Sequence, residues 1–353
     1  MTVIGVAGCT SLLVMGFGIK DSVGGVIEMQ YSQITRYNQI ISIKNDRHID
    51  QIVDEIKSNE NNEICVPYLT YQSPIYVGDK DASMTITVLD PNHQQEVFGI
   101  KSSKTNKEVI LNNNGIFIND KFAKSNNLSI GDTVRIKSNS GTEKEVKIDN
   151  IIVNYVGSAV YMSEDYYKEV FNEEIEYNTI GVTNNVDPET LQTLQKDFND
   201  VKNVSDFSAA ISSFGNMFDA LNLIIIVIIV VAGALAFVVL INLTNVNISE
   251  RIREIATLKV LGFREHEVDS YIFKEVMLMT IVGAIIGLPL GNLEEAYIMN
   301  QIDMDLCTFP HIIHPISYVY SFLITIGFTV IVLLLTKKTL RKVEMVESLK
   351  SIE

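Results

Sequence analysis

Charged side chains of both signs crowd into one short stretch, residues 247–263 (NISERIREIATLKVLGF). Its apolar residues recur in steps of four and three and so share one face of a helix: Ile248, Ile252, Ile255, Leu258 and Leu261. The charged residues occupy the remaining surface: Glu250, Arg251, Arg253, Glu254 and Lys259. A face of mixed sign suits a protein partner, because opposite charges pair across an interface and set its register. The stretch therefore predicts an amphipathic docking helix capped by Gly262, with a solvated connector as the alternative.

Residue patterns for catalysis, cofactors and metals are absent from the sequence. It contains no GxxxxGK[ST], so it has no P-loop of its own for ATP. His48 and His93 are isolated, and Cys9, Cys65 and Cys307 are too widely spaced for a zinc site. We therefore expect no catalytic, cofactor-binding or metal site, and no enzyme activity in this chain. A single Cys65–Cys307 disulfide is the alternative to free thiols if both residues lie outside the cell.

Four windows of this sequence are long and apolar enough to cross a membrane. Each contains about 18 to 21 consecutive residues without a charge, where a helical span needs roughly 20. The predicted transmembrane spans are residues 1–19, 219–242, 276–293 and 316–336. A signal peptide is the alternative for the first window, but nothing basic precedes it and the apolar run before Cys9 is short.

Basic residues indicate which connecting segments face the cytoplasm. Residues 243–275 and the tail 337–353 are rich in Lys and Arg, whereas residues 294–315 contain neither. Short basic segments stay in the cytoplasm. We therefore expect both termini on the cytoplasmic side of the cell membrane. Residues 20–218 and the loop 294–315 are expected on the extracellular side. The net charge of −15 argues against nucleic acid as a partner, because phosphate binding needs a basic surface.

The large segment 20–218 has the pattern of mixed helices and strands. Residues 133–137 alternate between polar and apolar, as a half-buried strand does, and the glycine of 139–141 predicts a hairpin turn after it. Residues 96–100 suggest a further strand, and Asp187 before a proline predicts a helix start. The predicted fold is an α-helical membrane protein with four transmembrane helices plus a mixed α+β extracellular domain inserted between the first and second spans.

The third span carries Gly283, Gly287 and Gly291 on one helical face. Spacing of four between small residues lets two helix backbones approach closely, so these glycines predict helix packing against another span or a second subunit. No Asp, Glu, Lys, Arg or His lies within the apolar windows 1–19, 221–241, 276–293 and 316–336, whereas ion-coupled carriers usually keep such residues as coupling sites. Four spans are also few for enclosing a pathway. Because coupling residues are lacking, energy for transport would have to come from another protein.

Two regions resemble the FtsX-like or MacB-like permeases of ABC transporters. The first is SERIREIATLKVLGF at 249–263, followed by GAIIGLPLG at 283–291. The second, IFINDKFAKSNNLSIGDTVRI at 116–136 and then VYMSEDYY at 160–167, looks like that family's extracellular core domain. The order of one span, a large outer domain and three further spans is also similar, so the resemblance covers nearly the whole chain.

The resemblance implies a permease subunit whose partner, a cytoplasmic ABC ATPase, docks around Glu250 to Lys259 and supplies ATP hydrolysis. Its movement would pass to the outer domain, which exports or extracts a hydrophobic, peptide or lipoprotein substrate. The alternative is a non-transporting signalling protein that controls a cell-wall hydrolase or senses antimicrobial peptides. A second permease half or a homodimer, and the lipid bilayer, are further expected partners. Because family members normally carry a basic segment before the first span, the abrupt start favours the C-terminal half of a larger permease.

Overall fold

Two compact units make up this protein. A computed structural model describes residues 2–60, 64–78, 80–184, 186–198, 200–250, 254, 257–258, 261–302 and 307–341. The helical unit comprises Met1–Gly24, Phe218–Asp303 and Phe309–Glu353. The sheet unit comprises Gly25–Met217 and Met304–Thr308.

The predicted spans each overlap one long helix. These helices are α1 (Thr2–Met29), α7 (Phe207–Glu250), α8 (Glu265–Gln301) and α9 (Pro315–Arg341). Stretches long and apolar enough to cross a membrane lie at Thr2–Ile34, Ile226–Val246, His266–Gln301 and Pro315–Leu335. Large apolar side chains on the last three helices are exposed, among them Val230 at 64%, which suits helices whose outer faces meet lipid.

Helix α8 is longer than the third predicted span. The predicted span ends at Leu293, whereas the helix continues to Gln301. Residues 292–301 contain no glycine or proline, and their Leu, Glu, Ala and Met have high helix propensity. Glu294 and Glu295 therefore lie on a helix rather than in the predicted loop 294–315.

Ten strands form one sheet within the described part of the sheet unit. They are β1 (Gln39–Ile43), β2 (Cys65–Val77), β3 (Lys80–Leu89), β4 (Lys101–Ser102), β5 (Ile116–Asn119), β6 (Thr133–Lys137), β7 (Glu143–Val153), β8 (Ala159–Ser163), β9 (Thr179–Val182) and β10 (Val201–Asp206). Their order is β10-β1-β9-β2-β3-β8-β5-β7-β4, and β6 pairs with β2 and β7. The pairs β3–β8 and β5–β7 are parallel, and the rest are antiparallel.

Short helices cover apolar faces of this sheet. They are α2 (Ile49–Glu60), α3 (Gln94–Val97), α4 (Asp120–Ser125), α5 (Glu164–Phe171) and α6 (Pro188–Asp197). Helices α4 and α5 add Phe122 and Phe171 to one buried cluster with β2, β3 and β5 to β8. Helices α2 and α6 add Ile52 and Leu194 to a second cluster with β1 and β9. The unit is therefore the mixed α+β domain that the sequence predicts.

Local signals in this unit have mixed outcomes. The predicted turn is confirmed, because Gly141 has φ +96° and its N–H donates to the Ser138 carbonyl at 3.0 Å. Asp187 caps α6 as predicted, and its Oδ1 accepts from the Glu189 N–H at 2.6 Å. The predicted strand at 96–100 is wrong, because helix α3 occupies Gln94–Val97. The turn preceding it, in which Asp90 Oδ1 accepts from the Asn92 N–H at 2.9 Å, favours a helical start over an extended one.

All three cysteines are free, buried thiols, so the Cys65–Cys307 disulfide is not formed. Cys65 lies on β2 and is 6% exposed. Burial raises the pKa of the Cys65 thiol to about 11, because desolvation disfavours the thiolate. The reactive species of a cysteine is the thiolate.

We expect Cys65 to resist alkylation in the native protein at pH 8. A thiol of pKa about 11 is ionised in only about one molecule in a thousand at that pH. Maleimide labelling followed by mass spectrometry checks this, with labelling in denaturant as the reference. A Gln72→Cys variant supplies an exposed thiol on the same strand as the control. Equal labelling rates for Cys65 and this control would contradict the prediction.

Candidate functional site in the helical unit

The glycine face of α8 packs directly on the backbone of α1. A Cβ atom added at Gly283 would lie 2.8 Å from the Val3 carbonyl oxygen, and one at Gly287 would lie 2.6 Å from that of Ala7. At Gly291 it would lie 2.5 Å from Val14 Cβ and 2.7 Å from the Ser11 carbonyl oxygen. Real Cβ atoms do not approach so closely, so glycine is needed at each position. The partner of this face is the first helix of the same chain.

Helix α1 contacts each of the other three helices. An added Cβ at Gly16 would lie 2.9 Å from Ile229 Cγ1, and one at Gly5 would overlap Leu243, both on α7. On a further face the Thr10 hydroxyl pairs with the Thr325 hydroxyl of α9 at 3.2 Å. Gly5 and Gly16 of α1 are therefore as much a part of the helix packing as the glycines of α8.

Two adjacent glutamates of α8 meet hydroxyl groups of α1. The Ser22 hydroxyl donates to Glu295 Oε1 at 2.7 Å, and the Ser11 hydroxyl donates to Glu294 Oε1 at 3.2 Å. Glu295 is 1% exposed, and within the described residues its Oε2 has no hydrogen-bond partner. His311 Nδ1 lies 4.0 Å from that oxygen, too far for a hydrogen bond. A buried carboxylate beside an apolar span is a costly feature that the loop prediction did not anticipate.

The predicted docking residues lie at the end of α7 and in the segment between α7 and α8. Glu250 and Glu254 are helical and exposed. The other three, Arg251, Arg253 and Lys259, lie outside the described residues. The structure therefore places the acidic members of the predicted face in solvent.

A glycine ends this segment as the sequence predicts. Gly262 has φ +89°, and the Phe263 N–H donates to the Leu258 carbonyl at 3.2 Å, which is the closing bond of a Schellman cap. Leu258 packs against the buried cluster of Val268, Ile272, Val276 and Leu333. Leu261 and Phe263 are instead 70% and 50% exposed. Exposed apolar side chains thus follow the exposed acidic ones in the sequence.

Comparison with known families covers both units. A model of the MacB-like periplasmic core domain matches residues 1–198, more than half of the chain. A model of the FtsX-like permease C-terminal region matches residues 226–345. The chain belongs to the FtsX-like and MacB-like permease family. It is therefore a multi-pass membrane protein with an extracellular domain, of the type that serves as an ABC transporter permease.

Three solved structures are similar to part of this permease. The periplasmic region of MacB from Actinobacillus actinomycetemcomitans is 12% identical, with a TM-score of 0.34, covering 54% of this chain and 98% of that one. The extracellular domain of the noncanonic ABC-type transporter YknZ from Gram-positive bacteria is 12% identical, with a TM-score of 0.32, covering 48% and 98%. A domain of a putative permease from Porphyromonas gingivalis is 14% identical, with a TM-score of 0.28, covering 47% and 80%. Identities and scores this low carry no functional conclusion.

One curated protein also matches a short part of the permease. It is a 2-dehydro-3-deoxy-D-gluconate/2-dehydro-3-deoxy-phosphogluconate aldolase of Picrophilus torridus, 30% identical over 92 residues. The chain spans about a third of the length of that curated relative, 34%, and the match covers 25% of the permease. The activity in its name is a property of that protein.

The permease has no arrangement for covalent chemistry in its described helical unit. Its distinctive features are close helix packing, one buried carboxylate, and exposed side chains at Glu250, Glu254, Leu261 and Phe263. The spacing of the α8 glycines predicts a packing face, and docking by the connecting segment stays a prediction. The packing of Gly5 and Gly16 of α1 and the burial of Glu295 were not predicted, because both depend on which helices become neighbours.

Proposed function

We propose that this chain is the permease subunit through which a separate cytoplasmic ATPase moves an extracellular domain. The movement exports or extracts a hydrophobic, peptide or lipoprotein substrate at the outer face of the membrane, and ATP hydrolysis takes place in the partner. The observation that carries the proposal is the match to both family regions, residues 1–198 and 226–345. A second permease half or a second copy of this chain would complete the assembly.

The proposed layout has both termini in the cytoplasm. Residues 20–218 would be extracellular, and the segment 243–275 and the tail 337–353 would be cytoplasmic, following the distribution of basic residues. Helix α7 supports this layout as a transmission element, because it is helical from Phe207 to Glu250 without a break. Strand β10 ends at Asp206, immediately before it, so a displacement at the cytoplasmic end has a direct covalent path to the sheet.

The proposed docking surface is the segment from Glu250 to Lys259. Glu250 and Glu254 are exposed and acidic, and Arg251, Arg253 and Lys259 add basic charge to the same stretch of sequence. Exposed Leu261 and Phe263 follow this stretch in the sequence and offer apolar area. Apolar contact at the centre of an interface with charged pairs at its rim is the usual composition of a specific protein–protein contact.

Charge reversal in this segment is expected to abolish co-purification with the ATPase. The variant combines Arg251→Glu, Arg253→Glu and Glu254→Arg. Like charges would then meet across the interface and weaken the binding free energy by roughly several kcal/mol. The measurement is pull-down of a co-expressed ABC ATPase by the tagged full chain. The control reverses two exposed charges on β7, Lys144→Glu and Glu145→Lys. Unchanged pull-down by the docking variant would count decisively against the proposal.

The substrate is tested separately from the docking contact. In proteoliposomes containing both subunits, ATP-dependent movement of a labelled hydrophobic peptide supports transport. Docking without any movement of substrate, together with ATP-dependent change in the extracellular domain, would favour the signalling alternative.

A further inference from the structure

A half-open cavity of about 290 Å³ lies in the sheet unit, between the sheet and the segment that follows α1. That volume is near the lower end of ligand pockets, about 300–1,000 Å³, and suits one ring rather than a large molecule. Its sides are formed by strands β2, β3 and β8, by the π-helical turn Gln30–Ile34 with the residues after it, and by the loop 154–158.

The floor of the cavity is a polar patch on the face of three neighbouring strands. Thr70 of β2 pairs with Thr87 of β3, which in turn pairs with Tyr161 of β8, so these three side chains form one row. The alternate positions of the same strands, such as Ile86 and Val160, lie in the apolar cluster on the opposite face. Threonine is thus placed where a purely structural interior would accept valine or isoleucine.

One wall is aromatic. Phe98 meets the rings of Tyr37, Tyr68 and Tyr161 at centroid distances of 5.5, 5.5 and 5.3 Å, in edge-to-face arrangements. Burial raises the pKa of Tyr68 and of Tyr161 far above the ordinary value, so their hydroxyls stay neutral at physiological pH. Four locked rings provide a rigid apolar surface with hydroxyl groups attached.

The loop 154–158 contributes an amide side chain, that of Asn154, to the lining. Asn154 is 2% exposed, and its Nδ2 donates to the carbonyls of Val156 and Gly157 at 2.8 and 2.9 Å. Its Oδ1 has no partner within the described residues. Gln30 holds the same loop in place, because its Oε1 accepts from the Tyr155 N–H at 2.9 Å. That oxygen is itself buried, so a bound molecule supplies the missing donor only when the loop 154–158 shifts.

The chemistry of the lining selects the ligand. None of the described residues that line the cavity is charged, so a charged group would be buried there without a counter-ion. A plain hydrocarbon would leave the threonine hydroxyls and Asn154 Oδ1 unsatisfied. A neutral sugar ring has a C–H face for the aromatic wall and hydroxyl groups for the threonines and amides. We propose that this cavity binds a neutral sugar of monosaccharide size, independently of whether an ATPase drives the chain.

The test uses the full chain in lipid nanodiscs and two matched probes. N-acetylglucosamine is neutral, and its amide N–H can donate to Asn154, whereas glucosamine has the same ring with an ammonium group. Ligand-observed saturation-transfer NMR is expected to show N-acetylglucosamine bound in the millimolar range and glucosamine not bound. Absence of transfer to either probe would mean that the cavity holds only water, about ten molecules by volume, and would overturn the proposal.

Variants establish where the probe binds. Thr87→Val removes a hydroxyl from the floor and is expected to weaken binding about fivefold to tenfold, as one lost hydrogen bond predicts. Ala159→Leu, which fills the space above β8, is expected to abolish it. Thr133→Val on exposed β6 is the control and should leave binding unchanged. Binding that survives both cavity variants with unaltered affinity would overturn the proposal. Thr87→Val alone decides it if Ala159→Leu does not fold.

Discussion

Replacement of Gly287 by alanine is expected to destabilise the helical unit by about 1–3 kcal/mol, the usual cost of forcing an extra group into a packed interior. The new Cβ would lie 2.6 Å from the Ala7 carbonyl oxygen, 2.7 Å from Thr10 Cβ and 3.2 Å from Ala7 Cα. Two of these atoms are backbone, so relief requires that α1 or α8 move as a whole. Elsewhere in a helix the same change tends to stabilise, by roughly 0.5–1 kcal/mol.

Gly327 provides the matched control on α9. A Cβ added there meets nothing within 4 Å, so Gly327→Ala should be neutral or slightly stabilising. The free energy of unfolding of the purified chain is measured in mixed micelles by titration with a denaturing detergent. A series of alanine, valine and leucine should lower stability progressively at Gly287 and leave it nearly unchanged at Gly327. Equal responses at the two positions would show that α1 and α8 are not packed through this face.

The α8 glycines illustrate how far the sequence can lead. A spacing of four is a local property, so the face could be predicted without knowing its neighbour. The identity of that neighbour could not, because α1 lies more than 270 residues earlier in the chain. Gly5 and Gly16 of α1 do not share such a regular spacing, so their role emerges only when Leu243 and Ile229 of α7 are in place.

The sheet unit shows the same division between local and distant information. The alternation in residues 133–137, the turn at Gly141 and the Asp187 cap are properties of a few neighbouring residues, and each was predictable. The sheet order was not, because β2 lies between β9 and β3 although β9 begins more than 100 residues later. The cavity depends on that order, because its floor exists only where β2, β3 and β8 are adjacent.

The predicted boundary of the third span was wrong for a different reason. Two consecutive acidic residues after an apolar run are a sensible sign of a span boundary, since a charge is costly within a bilayer. The cost is reduced here because hydroxyl groups of α1 reach both carboxylates, which no local pattern around Glu294 reveals. The expectation of spans free of ionisable residues therefore holds for the apolar windows and not for the whole helix.

Removal of the Ser22 hydroxyl should lower the free energy of unfolding, because it takes a hydrogen bond from the buried Glu295 carboxylate. That hydroxyl is the donor to Oε1, and Oε2 has no donor within the described residues. Ser22→Ala would therefore leave a carboxylate that is 1% exposed without its hydrogen bond, which costs about 1–3 kcal/mol and more when the group is charged. The measurement is again the free energy of unfolding in mixed micelles. Ser321→Ala is the control, because that hydroxyl is equally buried but donates only to the Ser317 carbonyl of its own helix.

A double-mutant cycle separates this pairing from a simple loss of volume. Glu295→Leu replaces the carboxylate by an apolar group of similar size, a change that is often neutral or stabilising for a buried charge. In that background Ser22→Ala should cost less than about 1 kcal/mol, because only the bonds between Ser22 and the Ile312 backbone are lost. The coupling between the two sites should then exceed about 1 kcal/mol, as expected for residues in direct contact. If Ser22→Ala is equally costly with leucine at position 295, the carboxylate does not depend on this hydroxyl, and the polar contact between α1 and α8 is incidental to the packing of their glycines.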